Sequence, residues 1–130
     1  MILAIQTDGP VTHLILMDPS GRKLAKDQWE SGRELSDGLL ERIKTVLTGQ
    51  SSDIHGLTGI LIHSGPGSFT SLRIGHTVAN ALAASLGIPV KGGRGEDWIT
   101  DGVAALKAAP LGVIAMPFYG AEANISKPKA

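Results

Sequence analysis

The chain has 130 residues, with 12 lysine and arginine side chains against 12 aspartate and glutamate, and it contains no cysteine. This length suits one domain with its own core. The lack of cysteine excludes a disulfide scaffold, a thiolate zinc site and a cysteine nucleophile. With a formal net charge of zero, the chain lacks the excess of basic residues typical of a free-standing nucleic-acid-binding protein, although a small basic patch remains compatible with it.

The first five residues lack the basic region of a signal peptide. No apolar stretch approaches the roughly 20 residues that cross a bilayer. We therefore expect a cytoplasmic protein with no membrane contact. Because hydrophobic residues make up 42% of the chain and aromatic ones only 4%, its core must consist of Leu, Ile, Val and Ala.

Three apolar segments open the chain, and turns separate them. They span residues 2–7, 11–17 and 23–30, with Asp-Gly-Pro after the first and Asp-Pro-Ser-Gly after the second. Connections this short allow only antiparallel neighbours. We predict a three-stranded meander whose third, more polar strand faces solvent.

The next segment has helical spacing. Its apolar side chains recur three or four residues apart, at Leu35, Leu39, Leu40, Ile43, Val46 and Leu47. Ser31 and Glu34 have the spacing of a capping box, and Gly49 suits the position just past the helix end. This pattern predicts an amphipathic helix over residues 34–48.

Strands and helices then alternate. The pattern predicts a buried strand, a helix, a short strand and a helix that ends before Pro110, over residues 57–63, 71–86, 88–90 and 96–108. The resulting order, β-β-β-α-β-α-β-α, predicts an α/β fold with a mixed sheet and helices packed against it. Residues 111–116 and 121–126 predict a C-terminal strand pair, which cannot form a core alone.

A glycine-rich segment joins the predicted strand 57–63 to the helix 71–86. Backbone N–H groups at the start of a helix favour anions. The candidate anion- or nucleotide-binding loop consists of Gly65, Gly67, Ser68, Phe69 and Thr70. A second interpretation stays open, in which Gly-Pro-Gly is a tight turn and Ser68 or Thr70 caps the helix. No Gly-Lys-Ser/Thr follows, which excludes a Walker A loop.

Side chains suited to metal chemistry are scarce at the predicted strand ends. The first strand carries Gln6 where a carboxylate would hold Mg²⁺. Asp8 stands in a turn-forming Asp-Gly-Pro. The four histidines, which include no His-x-x-x-His pair, are His13, His55, His63 and His76. We therefore predict no metal site.

The helix predicted over 71–86 is rich in small side chains, and Arg73 lies in its first turns. Small side chains let another helix approach closely, either inside the fold or at a partner surface, and the sequence leaves both open. Arg73 is placed to reach a phosphate or a carboxylate, or to form a surface ion pair.

Several of these motifs resemble the bacterial TsaB family, also called YeaZ. The similar segments are SGPGSFTSLRIG at 64–75, ALAASLGIPV at 81–90 and the opening strand ILAIQT. The resemblance covers about residues 1–92. It implies an RNase H-like lobe of the actin-like and sugar-kinase superfamily, whose element order agrees with the one predicted above.

The resemblance implies a role in making threonylcarbamoyladenosine in tRNA. It implies a subunit with no catalytic residue and no cofactor, which pairs through its helices with a TsaD-type catalytic subunit, works with a TsaE-type ATPase and meets tRNA indirectly. A homodimer through the same helices is a further interpretation. The interface is expected at Leu39, Ile43, Leu47, Leu72, Arg73, His76, Ala79, Asn80 and Ala83.

Some residues depart from the family pattern. Relatives usually carry Asp where this chain has Gln6, and Gly where it has Ser71. Residues 113–126 resemble the strand pair that begins the family's second lobe. We therefore expect one lobe over residues 1–110, with a strand pair and tail over 111–130 at the start of a lobe that is otherwise missing. The alternative function is a small nucleotide-binding or glycoprotease-like hydrolase of the same superfamily.

Overall fold

The protein is described by a computed structural model over residues 1–119. Its elements follow the predicted order: β1 Ile2–Gln6, β2 Val11–Met17, β3 Lys23–Glu30, α1 Leu35–Thr48, β4 Gly59–His63, α2 Phe69–Leu86, β5 Val90–Gly93 and α3 Trp98–Leu106. The predicted mixed α/β fold is confirmed. The largest shift in bounds is in β5, which runs into the glycine pair at 92–93 instead of ending at Val90.

One mixed sheet carries all five strands, in the order β3-β2-β1-β4-β5. The meander pairs antiparallel, with Ile5 opposite Leu14. On its other side, β1 pairs parallel with β4 and places Ile5 beside Ile62, and β4 pairs parallel with β5. Parallel neighbours need a crossover connection, which α1 and α2 supply. The carboxyl ends of β1 and β4 therefore lie side by side.

Helices cover the central strands on both faces. Leu3 and Ile5 pack with α1 and α2, whereas Ile2 and Ala4 pack with α3. The alternation follows from the two-residue period of a strand. A strand that is covered on both sides must be apolar throughout, which explains the uninterrupted apolar run of β1.

The predicted capping box at α1 is wrong. Ser31 makes no cap hydrogen bond; its hydroxyl lies 2.7 Å from the Thr12 hydroxyl, and α1 begins at Leu35 after a short 3-10 turn. Glu34 is exposed and has no cap contact either. The Thr12 hydroxyl is buried, so it needs a partner, and the nearby Ser31 hydroxyl provides one.

The strand predicted over 111–116 is also wrong, since no strand is present between residues 111 and 119. The backbone there bonds to side chains and to a loop instead of to a sheet edge. The Asn80 side chain both donates to the Ala115 carbonyl and accepts from its N–H, at 2.9 and 2.8 Å. The Phe118 N–H donates to the Ser64 carbonyl at 2.7 Å. The second predicted strand, 121–126, lies outside the described residues, and the division at residue 110 stays a prediction.

Within residues 1–119, no helix has the length and apolar character needed to span a membrane.

Candidate functional site

The glycine-rich loop connects β4 to α2 at the carboxyl edge of the sheet. The Ser68 hydroxyl accepts a hydrogen bond from the Ser71 N–H at 3.5 Å and so caps α2. At the other end of the helix, Gly87 takes a left-handed conformation with φ +67°, as a helix-ending glycine does. The sequence interpretation of Ser68 as a cap is confirmed.

Gly67 packs against the turn after β1. A Cβ atom on Gly67 would lie 2.6 Å from the Asp8 Cβ, too close for any side chain at this position. The Ser68 N–H also donates to the Asp8 carbonyl at 2.9 Å. The loop is therefore locked onto the β1–β2 turn through its backbone.

Gly65 is enclosed on the opposite side of the loop. Its N–H donates to His63 Nδ1 at 3.2 Å, and a Cβ atom there would lie 2.6 Å from the Phe118 carbonyl oxygen. Gly65 also has φ +103°, which disfavours any other residue. Residues 115–118 thus close over the start of the loop.

These contacts explain why glycine is required at positions 65 and 67 without any bound ligand. The N–H groups of Gly65 and Ser68 bond within the protein, and the space beside both glycines is filled by its own backbone. Phe69 and Thr70 are exposed. An anion-binding role for these five residues stays a prediction.

A polar cluster lies beside the loop. The Gln6 amide donates to the Asp8 carboxylate at 3.4 Å, and His63 Nδ1 lies 3.8 Å from the same group. Burial lowers the pKa of His63 below its usual range, and the Asp8 charge opposes that effect. Since Nδ1 accepts from Gly65, the neutral ring carries its hydrogen on Nε2.

His76 extends this polar region beneath α2. Its Nδ1 lies 2.8 Å from the Leu72 carbonyl and therefore carries the hydrogen, which leaves the buried Nε2 without a partner. Burial is the main cause that lowers the His76 pKa. The Thr7 hydroxyl is likewise buried and unpartnered. Across residues 1–119, no three acidic or histidine side chains converge as a metal site would require.

Most of the predicted interface residues lie inside the fold. The exceptions are Arg73, which is exposed, and Asn80, which is half-buried and holds Ala115. The residues buried against the sheet or between the helices are Leu39, Ile43, Leu47, Leu72, His76, Ala79 and Ala83. These seven side chains are therefore not exposed for contact with a partner, and the location of a partner interface stays a prediction. The apolar stripe of an amphipathic helix normally faces the core of its own domain, and here it does so instead of facing a partner.

The outward side of the two helices carries a different set of side chains. Two adjoining cavities of about 310 and 380 Å³ run along it between α1 and α2. We call this the pairing surface; it is lined by Ser36, Leu40, Lys44, Ile54, Thr70, Arg73, Ile74, Thr77, Val78, Ala81, Leu82 and Ser85. Sequence reasoning missed nearly all of it, because it counted Leu40 with the apolar face of α1, whereas the buried row is Leu35, Leu39, Ile43 and Leu47 and Leu40 is exposed.

Comparison with known proteins gives both sequence and structural relatives. The family model for TsaD, tRNA N6-adenosine threonylcarbamoyltransferase, matches residues 30–92. A curated tRNA N6-adenosine threonylcarbamoyltransferase from Vesicomyosocius okutanii subsp. Calyptogena okutanii (strain HA) is 39% identical over 59 residues, which cover 45% of this chain and 17% of that protein.

Two solved structures have the same fold. YeaZ from Pseudomonas aeruginosa superimposes with a TM-score of 0.64 at 27% identity, over 70% of this chain and 42% of that one. An uncharacterized protein with similarity to peptidase YEAZ from Pseudomonas aeruginosa gives the same TM-score and identity, over 70% and 41%. The chain thus spans less than half the length of these relatives. It is similar in sequence and fold to the YeaZ (TsaB) family, and its five-stranded mixed sheet with three helices is the RNase H-like fold of those neighbours.

Proposed function

We propose that this chain is a non-catalytic interaction subunit in tRNA threonylcarbamoyladenosine biosynthesis, and that it pairs with a TsaD-type catalytic subunit through the pairing surface. The similarity to YeaZ and to a threonylcarbamoyltransferase family supports the pathway. The observation that carries the pairing is the open groove between α1 and α2.

The chemistry of the groove suits another helix. On α2 the exposed side chains Thr77, Ala81 and Ser85 follow each other every four residues and are all small. Small residues in such a row let a second helix approach to about 8 Å between axes. Leu40 of α1 is 40% exposed beside this row and supplies an apolar contact. Lys44 adds a charge at the same edge.

The polar cluster at the carboxyl edge supports a non-catalytic role. Phosphoryl transfer on such a sheet uses carboxylates at strand ends to hold Mg²⁺. Here the last residue of β1 is Gln6, whose amide donates to the Asp8 carboxylate. In this proposal ATP and Mg²⁺ belong to the partner subunits, including a TsaE-type ATPase, and the complex works in the cytoplasm.

The test is binding of the purified chain to a TsaD-type protein from the same source. We expect co-elution at micromolar concentration, and at least tenfold weaker binding for Ala81→Glu, because the longer, charged side chain occupies the space that a closely packed partner helix would need. Ala104→Glu is the matched control: Ala104 is exposed on α3, on the other face of the sheet, so this variant should bind like the wild type.

Equal loss of binding in both variants, or no binding by the wild type, contradicts the pairing proposal. If light scattering instead shows a dimer of this chain that Ala81→Glu dissolves, the groove serves a homodimer. Calorimetric binding of ATP and Mg²⁺ by the chain alone would favour the hydrolase alternative.

A further inference from the structure

Two arginines lie over aromatic rings near the carboxyl edge of the sheet. The Arg94 guanidinium lies 3.7 Å from the centre of the Phe118 ring, and that of Arg73 lies 5.5 Å from the centre of Phe69. Phe69 also meets Tyr119, with 4.6 Å between ring centres. We call these five residues the arginine–aromatic surface.

This surface holds an unusual share of the chain's aromatic side chains. The sequence has two phenylalanines, two tryptophans and one tyrosine. Both tryptophans serve the fold: Trp98, the first residue of α3, is buried, and Trp29 packs against the core. Every remaining aromatic ring lies here, with Phe69 54% and Phe118 38% exposed. The buried core contains neither Phe nor Tyr, and all three of these residues lie at one solvent-facing site.

The two guanidinium groups carry charge that the described part of the chain does not neutralise. Arg22 and Arg42 form salt bridges with Asp18 and Asp27. Within residues 1–119, Arg73 and Arg94 form no such bridge, and both are exposed. Both guanidinium groups are therefore available to an external anion while they lie near the aromatic rings.

We propose that the arginine–aromatic surface binds single-stranded RNA. Unpaired bases stack on aromatic rings and on guanidinium planes, and arginine donors meet the phosphates between them. Such binding needs local and not net positive charge, so it is compatible with a formal charge of zero. This inference adds a direct RNA contact to the proposed function. The two surfaces share Arg73, so the test below uses the chain alone, without a protein partner.

The test uses the chain alone with a fluorescein-labelled, unstructured 12-nucleotide RNA in a fluorescence anisotropy titration at low salt. Phe69→Ala and Arg94→Ala should each weaken binding about tenfold, the effect of losing one base stack. Phe69→Trp should retain binding, and circular dichroism should show all variants folded. Arg33→Ala, which removes an exposed arginine from the turn before α1, is the control and should change binding less than about twofold.

Contacts to two phosphates should also give log K against log salt a slope of about −1.4. Absence of binding by the wild type at about 100 µM overturns the proposal. So does equal weakening by Arg33→Ala, or equally tight binding of a duplex, whose paired bases cannot stack on the rings. If Phe69→Ala weakens binding to the TsaD-type protein but not to RNA, the surface serves a protein partner and the proposal fails. Since the titration contains no partner, its failure is distinct from failure of the pairing proposal.

Discussion

Gly75 gives the sharpest prediction about how α2 sits on the sheet. Alanine normally stabilises a helix interior by about 1 kcal/mol relative to glycine. Here the added methyl group would overlap the Thr7 hydroxyl and lie 3.0 Å from both Thr7 Cβ and Cγ2. Thr7 is fully buried and directly follows β1, so the clash must displace the helix or the segment after the strand.

The expected size of the effect follows from these opposing contributions. Overpacking of a rigid core costs about 3 kcal/mol at the upper end of its usual range. Subtracting the gain in helix propensity of about 1 kcal/mol leaves Gly75→Ala destabilised by about 2 kcal/mol. Urea unfolding followed by tryptophan fluorescence would show this as a midpoint about 1 M lower.

Gly38→Ala is the matched control, because Gly38 lies inside α1 and an added Cβ would have no atom within 4 Å. That variant should be stabilised by up to about 1 kcal/mol. Adding Thr7→Ala to Gly75→Ala should recover part of the loss, as a double-mutant cycle would reveal. Equal stabilisation by Gly75→Ala and Gly38→Ala would refute the close approach of α2 to β1.

Two further predictions concern the C-terminal segment and pH. Asn80→Ala removes both side-chain bonds to Ala115 and should speed hydrogen exchange at the Ala115 amide. Asn80→Asp keeps the acceptor for the Ala115 N–H but sets a carboxylate oxygen against the Ala115 carbonyl, so it should retain only part of the protection. Unchanged exchange in Asn80→Ala would show that other contacts hold the segment. Because burial lowers the pKa values of His63 and His76 in the folded protein, the unfolded chain binds more protons as pH falls through about 6.5, and stability should decrease there. In His63→Gln the urea midpoint should change less between pH 7.5 and 5.5 than in the wild type, whereas in His55→Gln, a variant at an exposed site, it should change as in the wild type. The same change of midpoint with pH in the wild type and both variants would contradict this explanation.

The order of elements could be predicted from the sequence, because each signal is local. An apolar run such as Ile60 to Ile62 between turn residues predicts a buried strand wherever it lies. The period-four spacing from Leu35 to Leu47 predicts α1 in the same way. The short turns before and after β2 permit only antiparallel pairing.

The site could be predicted only in part. Ser68 was identifiable as a helix cap because its partner, Ser71, is three residues away. Ser31 was assigned a similar role, but its actual partner is Thr12, 19 residues distant. Local spacing carries no information about such a contact.

The sequence by itself determined the class of fold and the positions of its helices and strands, since hydrophobic periodicity and turn chemistry act over a few residues. Tertiary structure decided which side of α2 faces out. That helix has small residues on both sides, so Gly75, Ala79 and Ala83 could pack inward while Thr77, Ala81 and Ser85 form the groove. It also decided the path of residues 111–119, because the groups that hold them, Asn80 and Ser64, come together only when the sheet and α2 have packed.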